Sequence, residues 1–341
     1  MMFSPKKPPF IVAEISGNHH HSLDRAFELV EKAKEAGADA IKLQTYTPDT
    51  LTLNLDRGDF RITQKGNLWE GRTLYDLYKQ AYTPWEWHKP LFERAKKLGL
   101  IAFSTPFDKT ALDFLEELDV PCYKIASPEI VHLPLIRLAA ATRKPLILST
   151  GGASREEIQE AVETARGVGC RDLTLLKCTI AYPADPQECN LATLPDMAAS
   201  FQTSVGLSDH TLGIGVALAS IPLGACLIEK HLTLSRSDGA IDSPFSLEPH
   251  ELKCLVEESR KAWQALGTIH YGPTPSEMTT HSHRPSIFFV KKMKSGDTVT
   301  SEHIQIARPA SGLAPKHFEA LLGRQVCRPV HYGDPVSWDC F

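Results

Sequence analysis

Two histidines, two lysines and a set of hydroxyl groups stand at the ends of short apolar runs spread along the chain. Lys42 and Gln44 close AIKLQ, Lys124 and Ser127 close CYKIAS, Ser208 and His210 close VGLSDH, and Glu229 and His231 close CLIEKH. Residues two apart on an extended strand share a face, so Lys42 with Gln44, Ser208 with His210, and Glu229 with His231 can each point into one common mouth. Neighbouring strands lie about 4.8 Å apart and an imidazole–metal bond spans about 2 Å. His210 and His231 on adjacent strands could therefore meet at one divalent ion; the plainer alternative makes each a hydrogen-bonded rim residue. Lys42 and Lys124, with Thr105, Ser127, Ser149 and Ser208 at other run ends, offer two cations and several hydroxyls. That combination suits a phosphate or a carboxylate, which needs charge and several hydrogen bonds. A lone Ser or Thr usually serves as a turn or cap, but a bare ammonium is costly to bury.

Glu14 ends FIVAEIS, where a carboxylate could orient water or move a proton, or pair with Lys42 next door. Lys177 can face either way. Asp209 points to the helix layer or fixes a neighbour, and Asp242, in DGAIDSPFS, lies on a rim loop within reach of substrate hydroxyls. Gly151 and Gly152, ahead of Ser154, add N–H donors at a helix start. The run of three histidines at 19–21 reads as a solvated loop, because consecutive residues do not aim three imidazoles at one ion. Asn18 and His19 gain interest from adjoining Glu14.

Such residues need a scaffold that gathers strand ends. Eight apolar runs in the first 231 residues end in polar, ligand-type residues, and each is followed by helix-like sequence. Strands alternating with helices imply a parallel sheet of βα units. Eight units predict an α/β fold, a closed (β/α)8 TIM barrel with its site on the rim where the strands end. Ser22 is placed to cap a helix over Leu23–Ala36 that Gly37 ends. Thr45 to Tyr82 is an insertion far longer than an ordinary βα loop; it carries Asn67, Trp69, Arg72, Tyr75 and Tyr78 and should cover or shape the site. Pro84 opens a helix through Leu98, and the last barrel helix spans Pro249–Leu266. The domains predicted are a barrel over 1–266, a Gly/Pro/Ser/Thr/His-rich linker over 267–285, and a small module of short strands with Gly-Asp turns over 286–341. About fifty-five residues is marginal for a separate core, so that module is expected to pack on the barrel or a partner chain.

The chain has 341 residues, 42% hydrophobic and 23% charged, with net charge −4. No basic stripe stands out, which argues against nucleic acid; an anionic substrate would need a local basic pocket. No run reaches the about 18–20 apolar residues of a membrane span, and the start lacks a signal-peptide core. Eight cysteines without a CxxC pair predict reduced thiols and a cytoplasmic location.

Taken in order, AEISGNH, KLQTY, FSTPFD, YKIAS, ILSTG, LKCT-x-x-YP, GLSDHT, EKH and DS-x-FS resemble the sialic acid synthase family, and IARPASGLAP is similar to the antifreeze-like (SAF, β-clip) module that ends it. Within the family, WEGRTLYDLYKQAYTPWEWHKPLFERA resembles the pseudaminic acid synthase branch. The resemblance implies condensation of phosphoenolpyruvate with an amino-sugar aldehyde, here 2,4-diacetamido-2,4,6-trideoxy-L-altrose, and water to give a nine-carbon 2-keto acid and phosphate. It implies that His210 and His231 hold a divalent ion, Mn²⁺ or else Mg²⁺ or Co²⁺. Lys42, Thr105, Lys124, Ser127, Ser149 and Ser208 would hold phosphoenolpyruvate. Glu14, Gln44, Tyr182, Asp242 and Asn67 would face the sugar. Arg308 would reach over from the C-terminal module of a second subunit, so the working unit would be a homodimer. Three positions depart from the pattern: Ile180 where a small polar residue is usual, Gly152 in place of Met, and Ala310 in place of Gly. The alternatives are an N-acetylneuraminate or legionaminate synthase, a Schiff-base aldolase using Lys42, Lys124 or Lys177, or a carbohydrate-binding protein on an inert barrel.

Overall fold

The computed structural model describes residues 2–341. Contacts divide the chain into two units, Met1–Gly267 and Thr268–Phe341. In the first, eight parallel strands close in sequence order: β1 Phe10–Glu14, β2 Ala40–Thr45, β3 Ile101–Pro106, β4 Tyr123–Ile125, β5 Leu146–Ser149, β6 Leu173–Cys178, β7 Ser204–Asp209 and β8 Ala225–His231. The strands read as nearly continuous apolar runs because a barrel interior lies on one side and helices on the other. Val12, Ala40, Phe103, Cys122, Ile147, Leu176, Cys226 and Leu227 pack together as one buried cluster. Larger clusters join the outward strand faces to the apolar stripes of the helices.

Register is what assembles the rim. Glu14 stands opposite Lys42 on one side and His231 on the other, Gln44 opposite Thr105, and Ser208 opposite Glu229. β7 has an irregularity between Val205 and Leu207. A Cβ on Gly206 would lie 2.4 Å from the Leu227 carbonyl oxygen, so only glycine lets β7 approach β8 there.

The helix signals mark real ends. Ser22 Oγ accepts from Arg25 N at the start of Leu23–Ala36, and Gly37 closes that helix in the left-handed conformation. Ser154 and Glu157 form a reciprocal capping box on the helix Arg155–Gly167. The helix Pro249–Leu266 has the predicted bounds. Between β2 and β3 the outcome differs from expectation. The insertion is not a plain loop: it holds the helices Pro48–Leu51 and Leu74–Ala81 and a bridge between Arg61 and Thr73. The next helix begins as a 3₁₀ turn, Trp85–Trp87, and becomes α-helical only over His88–Lys97.

His19 was expected in solvent, but it is buried. Its Nε2 lies 3.1 Å from Thr83 Oγ1 and its ring 5.4 Å from that of Trp87. Burial, reinforced by the neighbouring His21 and His20, pushes its pKa down to about 3. His20 and His21 are exposed. The first of the three thus ties the β1 loop to the end of the insertion.

The second unit has a core of its own, against expectation. Ile287, Phe289, Met293, Val299, Ile304, Leu321, Val326, Val330, Val336 and Cys340 are buried together. β9 Ser286–Phe289 pairs antiparallel with β10 Ile304–Ala307, and isolated bridges such as Met293 with Val330 knit the remainder. The segment expected as a linker contains a short helix, Met278–His281, and groups with this unit. Among the described residues no helix is long and apolar enough to cross a membrane, and all eight cysteines are free.

Candidate active site

A cavity of about 390 Å³ opens at the C-terminal ends of the barrel strands, within the usual range for a small-molecule site. Lys42, Gln44, Asn67, Thr105, Lys124, Ser127, Ser149, Tyr182, Ser208, His210, His231 and Asp242 all line it. Among the predicted residues of the first unit, Glu14 does not. Glu14 is fully buried behind Lys42: one carboxylate oxygen touches the Lys42 ammonium and the other accepts from Ser16 N at 2.8 Å. Its register puts it on the same inward face as Lys42 and His231, and the Lys42 ammonium covers it, the ion pair that was one of its two sequence readings. Arg308 lies in the second unit, just after β10. Lys177 is also outside the lining, its ammonium donating to the Cys178 carbonyl at 3.1 Å.

The centre of the floor is a carboxylate that the prediction left unassigned. Glu229 Oε1 lies 3.4 Å from Lys124 Nζ, 3.8 Å from Lys42 Nζ, and accepts from Ser208 Oγ at 3.1 Å. Burial alone would raise its pKa, but the two ammonium groups, His231 and Ser208 outweigh that and hold it at about 2. Burial likewise works against the charge on Lys42, yet Glu14 and Glu229 raise its pKa; Lys124 is lowered by burial, which the nearby Glu229 does not offset and Lys42 reinforces. Thr105 Oγ1 accepts from Lys42 Nζ at 3.3 Å, and Ser149 Oγ is buried with no hydrogen-bond partner. The alternation that paired His231 with Glu229 was sufficient to find this residue.

Glu129 was also missed. It follows Ser127 on the rim and lines the cavity; its Oε2 is buried without a hydrogen-bond partner. Burial pushes its pKa up to about 7, only partly opposed by Lys124. A carboxyl that changes protonation near neutrality can take or give a proton.

His210 and His231 face each other with ring centroids 5.4 Å apart. His210 Nδ1 lies 2.9 Å from the Thr179 carbonyl oxygen, so that nitrogen carries the proton and Nε2 is left as a donor atom. His231 Nδ1 is buried without a hydrogen-bond partner, with Asp242 Oδ2 at 3.4 Å. Two imidazoles, one oriented by a carbonyl and one beside the Asp242 carboxylate, fit a divalent ion. Among the described residues no three His, Cys, Asp or Glu side chains form a ready-made ligand set, so an ion here would keep positions for water and substrate, as catalytic sites require. A buried pair steadies this edge from behind: Lys230 Nζ lies 3.0 Å from Asp209 Oδ2 and donates to the Thr211 carbonyl at 2.5 Å. Asp209 and Lys230 immediately precede the two histidines.

Two of the three departures from the family pattern meet each other. Ile180 packs over the glycine pair, where a Cβ on Gly151 would lie 2.8 Å and one on Gly152 3.1 Å from its side-chain carbons. The isoleucine fills space that a larger residue at 152 would need. Ala310 donates its N–H to the Ser282 carbonyl at 2.9 Å.

The sequence is 43% identical over 336 residues to a pseudaminic acid synthase of Helicobacter pylori, covering 98% of each chain. It is 42% identical over 335 residues to a pseudaminic acid synthase of Campylobacter jejuni, covering 98% of this chain and 97% of that one. The crystal structure of an N-acetylneuraminic acid (sialic acid) synthetase from Leptospira borgpetersenii superposes with a TM-score of 0.70 at 33% identity, over 80% of this chain and 90% of that one. Residues 29–271 match the NeuB family and residues 284–341 the SAF domain. With barrel, rim and C-terminal module all in agreement, the chain belongs to the NeuB family.

Proposed function

We propose that this protein condenses phosphoenolpyruvate with 2,4-diacetamido-2,4,6-trideoxy-L-altrose and water, releasing phosphate and the nine-carbon 2-keto acid pseudaminic acid. The observation that carries the reading is the convergence of two buried ammonium groups and two imidazoles from four separate strands on one cavity. The relatives named above support the choice of sugar.

Lys42 and Lys124 bind the carboxylate and phosphate of phosphoenolpyruvate, with Thr105, Ser127, Ser149 and Ser208 as hydrogen-bonding partners. Both ammonium groups are already matched by Glu14 and Glu229, so the anion enters a balanced cluster and draws on the donors that remain, such as Ser149 Oγ. His210 and His231 would hold a divalent ion, Mn²⁺ or else Mg²⁺ or Co²⁺, and such an ion supplies Lewis-acid polarisation of the sugar aldehyde. Gln44, Asn67, Tyr182 and Asp242 orient the open-chain sugar so that its aldehyde carbon faces C3 of phosphoenolpyruvate.

A bond then forms between C3 and the aldehyde carbon, the aldehyde π electrons move to its oxygen, which takes up a proton to become a hydroxyl, and positive charge develops at C2. Water adds at C2 and gives up a proton, with Glu129 the group poised to accept it. The C2–O bond breaks, and phosphate leaves with the bridging oxygen. Arg308 acts at the mouth of a second subunit, making the working unit a homodimer. The free thiols and the phosphoenolpyruvate requirement suit a cytoplasmic enzyme.

The test is phosphate release with a panel of amino-sugar aldehydes, the products weighed by mass spectrometry. Bridging-¹⁸O phosphoenolpyruvate should deliver its label to phosphate. Turnover should vanish in chelator and in His231→Ala, and no lysine adduct should form with borohydride and a keto acid. Product from N-acetylmannosamine alone would make this an N-acetylneuraminate synthase; a trapped lysine would make it a Schiff-base aldolase.

A further inference from the structure

The cavity has two unlike halves. The strand ends supply ammonium groups, imidazoles, carboxylates and hydroxyls, while the insertion after β2 supplies Leu51, Ile62, Trp69, Leu74, Leu77 and Tyr78. Among the described residues, no charged side chain of the insertion lines the cavity. Two of its arginines are engaged elsewhere: Arg61 pairs with Asp56 and donates to the Gly71 carbonyl at 2.9 Å, and Arg72 donates to Gln80 Oε1 at 2.6 Å. Asn67 is the exception to the apolar character. Its Oδ1 accepts the Trp69 N–H at 2.9 Å, which leaves its amide N–H groups for a ligand.

Position along the cavity follows from the rings. The Trp69 ring is 5.5 Å from that of Tyr182, which is 4.6 Å from that of His210. The apolar wall therefore starts two ring contacts from the imidazole pair. A sugar whose aldehyde carbon lies beside the imidazoles extends its far carbons on to this wall.

We propose that the insertion is a methyl-recognising wall, which selects sugars bearing a C6 methyl and an N-acetyl group over amino sugars hydroxylated at those carbons. The proposal rests on the synthase reading above and deepens it. Aliphatic side chains give a hydroxyl no partner to replace lost water, whereas a methyl group gains by leaving water. An apolar pocket rejects an added hydroxyl by about 100-fold at most, and that bounds the selectivity. Asn67 provides the amide that an acetamido group needs beside its methyl.

The experiment compares kcat/KM for 2,4-diacetamido-2,4,6-trideoxy-L-altrose and for its 6-hydroxy counterpart, using the full chain. The wild type should prefer the 6-deoxy sugar by roughly 10- to 100-fold. Ile62→Thr and Leu74→Asn, both near in shape to the originals and at part-exposed positions, should lower that ratio about tenfold. Ile62→Val should keep it, and the KM for phosphoenolpyruvate should move by less than about twofold in all three, since the anion sits on the strand ends. Equal losses for both sugars in the polar variants would overturn the wall, as would a wild type with no preference. Absence of phosphate release with every sugar would instead overturn the synthase reading, and the wall with it.

Discussion

Lys42 sits where two carboxylates compete for one charge. Its ammonium touches Glu14 and lies 3.8 Å from Glu229, so Lys42→Met strands Glu14 without its ammonium and leaves Glu229 with Lys124 alone. Breaking a buried pair from one side costs about 3–5 kcal/mol, and a urea midpoint at neutral pH should show a loss of that order. Glu129 has a different signature. Its folded pKa, about 7, is raised by burial above the ordinary glutamate value of 4.5. A raised carboxyl contributes stability below its unfolded pKa and loses it as pH rises through the folded one. Glu129→Gln should therefore remove a decline of at most about 3 kcal/mol between pH 4.5 and 7. His19, lowered from 6.5 to about 3, works in the opposite direction, losing stability as pH falls through that range. The two slopes overlap and partly cancel in the native protein, so the Glu129→Gln variant should show stability rising with pH from 4.5 to 6.5 in urea titrations.

The strand ends of β7 and β8 act as a unit because Asp209 and Lys230 join them on the face away from the cavity. Each residue precedes a histidine of the site, so the pair holds both imidazoles in register without touching a ligand. Asp209→Asn leaves an uncompensated buried ammonium and should cost about 3–5 kcal/mol, whereas Asp209→Leu combined with Lys230→Met should recover most of it. A positioning role has a further mark that a purely structural one lacks. In the recovered double variant, the two-imidazole site should bind Mn²⁺ more weakly, read by calorimetry, while thermal unfolding stays near native. The insertion is the other element with a defined job: His19 and Trp87 fasten its base to the β1 loop, and its inner face completes the cavity.

At the scale of the molecule, the two units join through a stretch where every residue from Gln264 to Pro285 is exposed. Tyr271 is 93% exposed. Limited chymotrypsin digestion should cut there first and leave two fragments, each with its own core, identified by mass spectrometry. If Arg308 works at a second subunit's mouth, the nicked barrel should still bind phosphoenolpyruvate but lose turnover, and Arg308→Ala in the intact chain should reproduce that loss.

Period and punctuation in the chain were enough to define eight βα units, the helix Pro249–Leu266 and the ring of strand-end residues, because side chains alternate on strands and caps have their own residue types. Lys42, His210 and His231 were legible for the same reason: each ends an apolar run in phase with an inward neighbour, and Lys124 was legible as an ammonium at a strand end that needs a partner. What the linear order could not show was which charges meet. Glu229 between two ammonium groups and Glu129 left bare at the rim depend on side chains from strands far apart in sequence, whereas the pairing of Glu14 with Lys42 was one of two readings the neighbouring strands left open. The second unit's separate core and the burial of His19 were decided in the same way. Burial and Coulomb forces act through space, so only the closed barrel settles which groups share water, charge or neither.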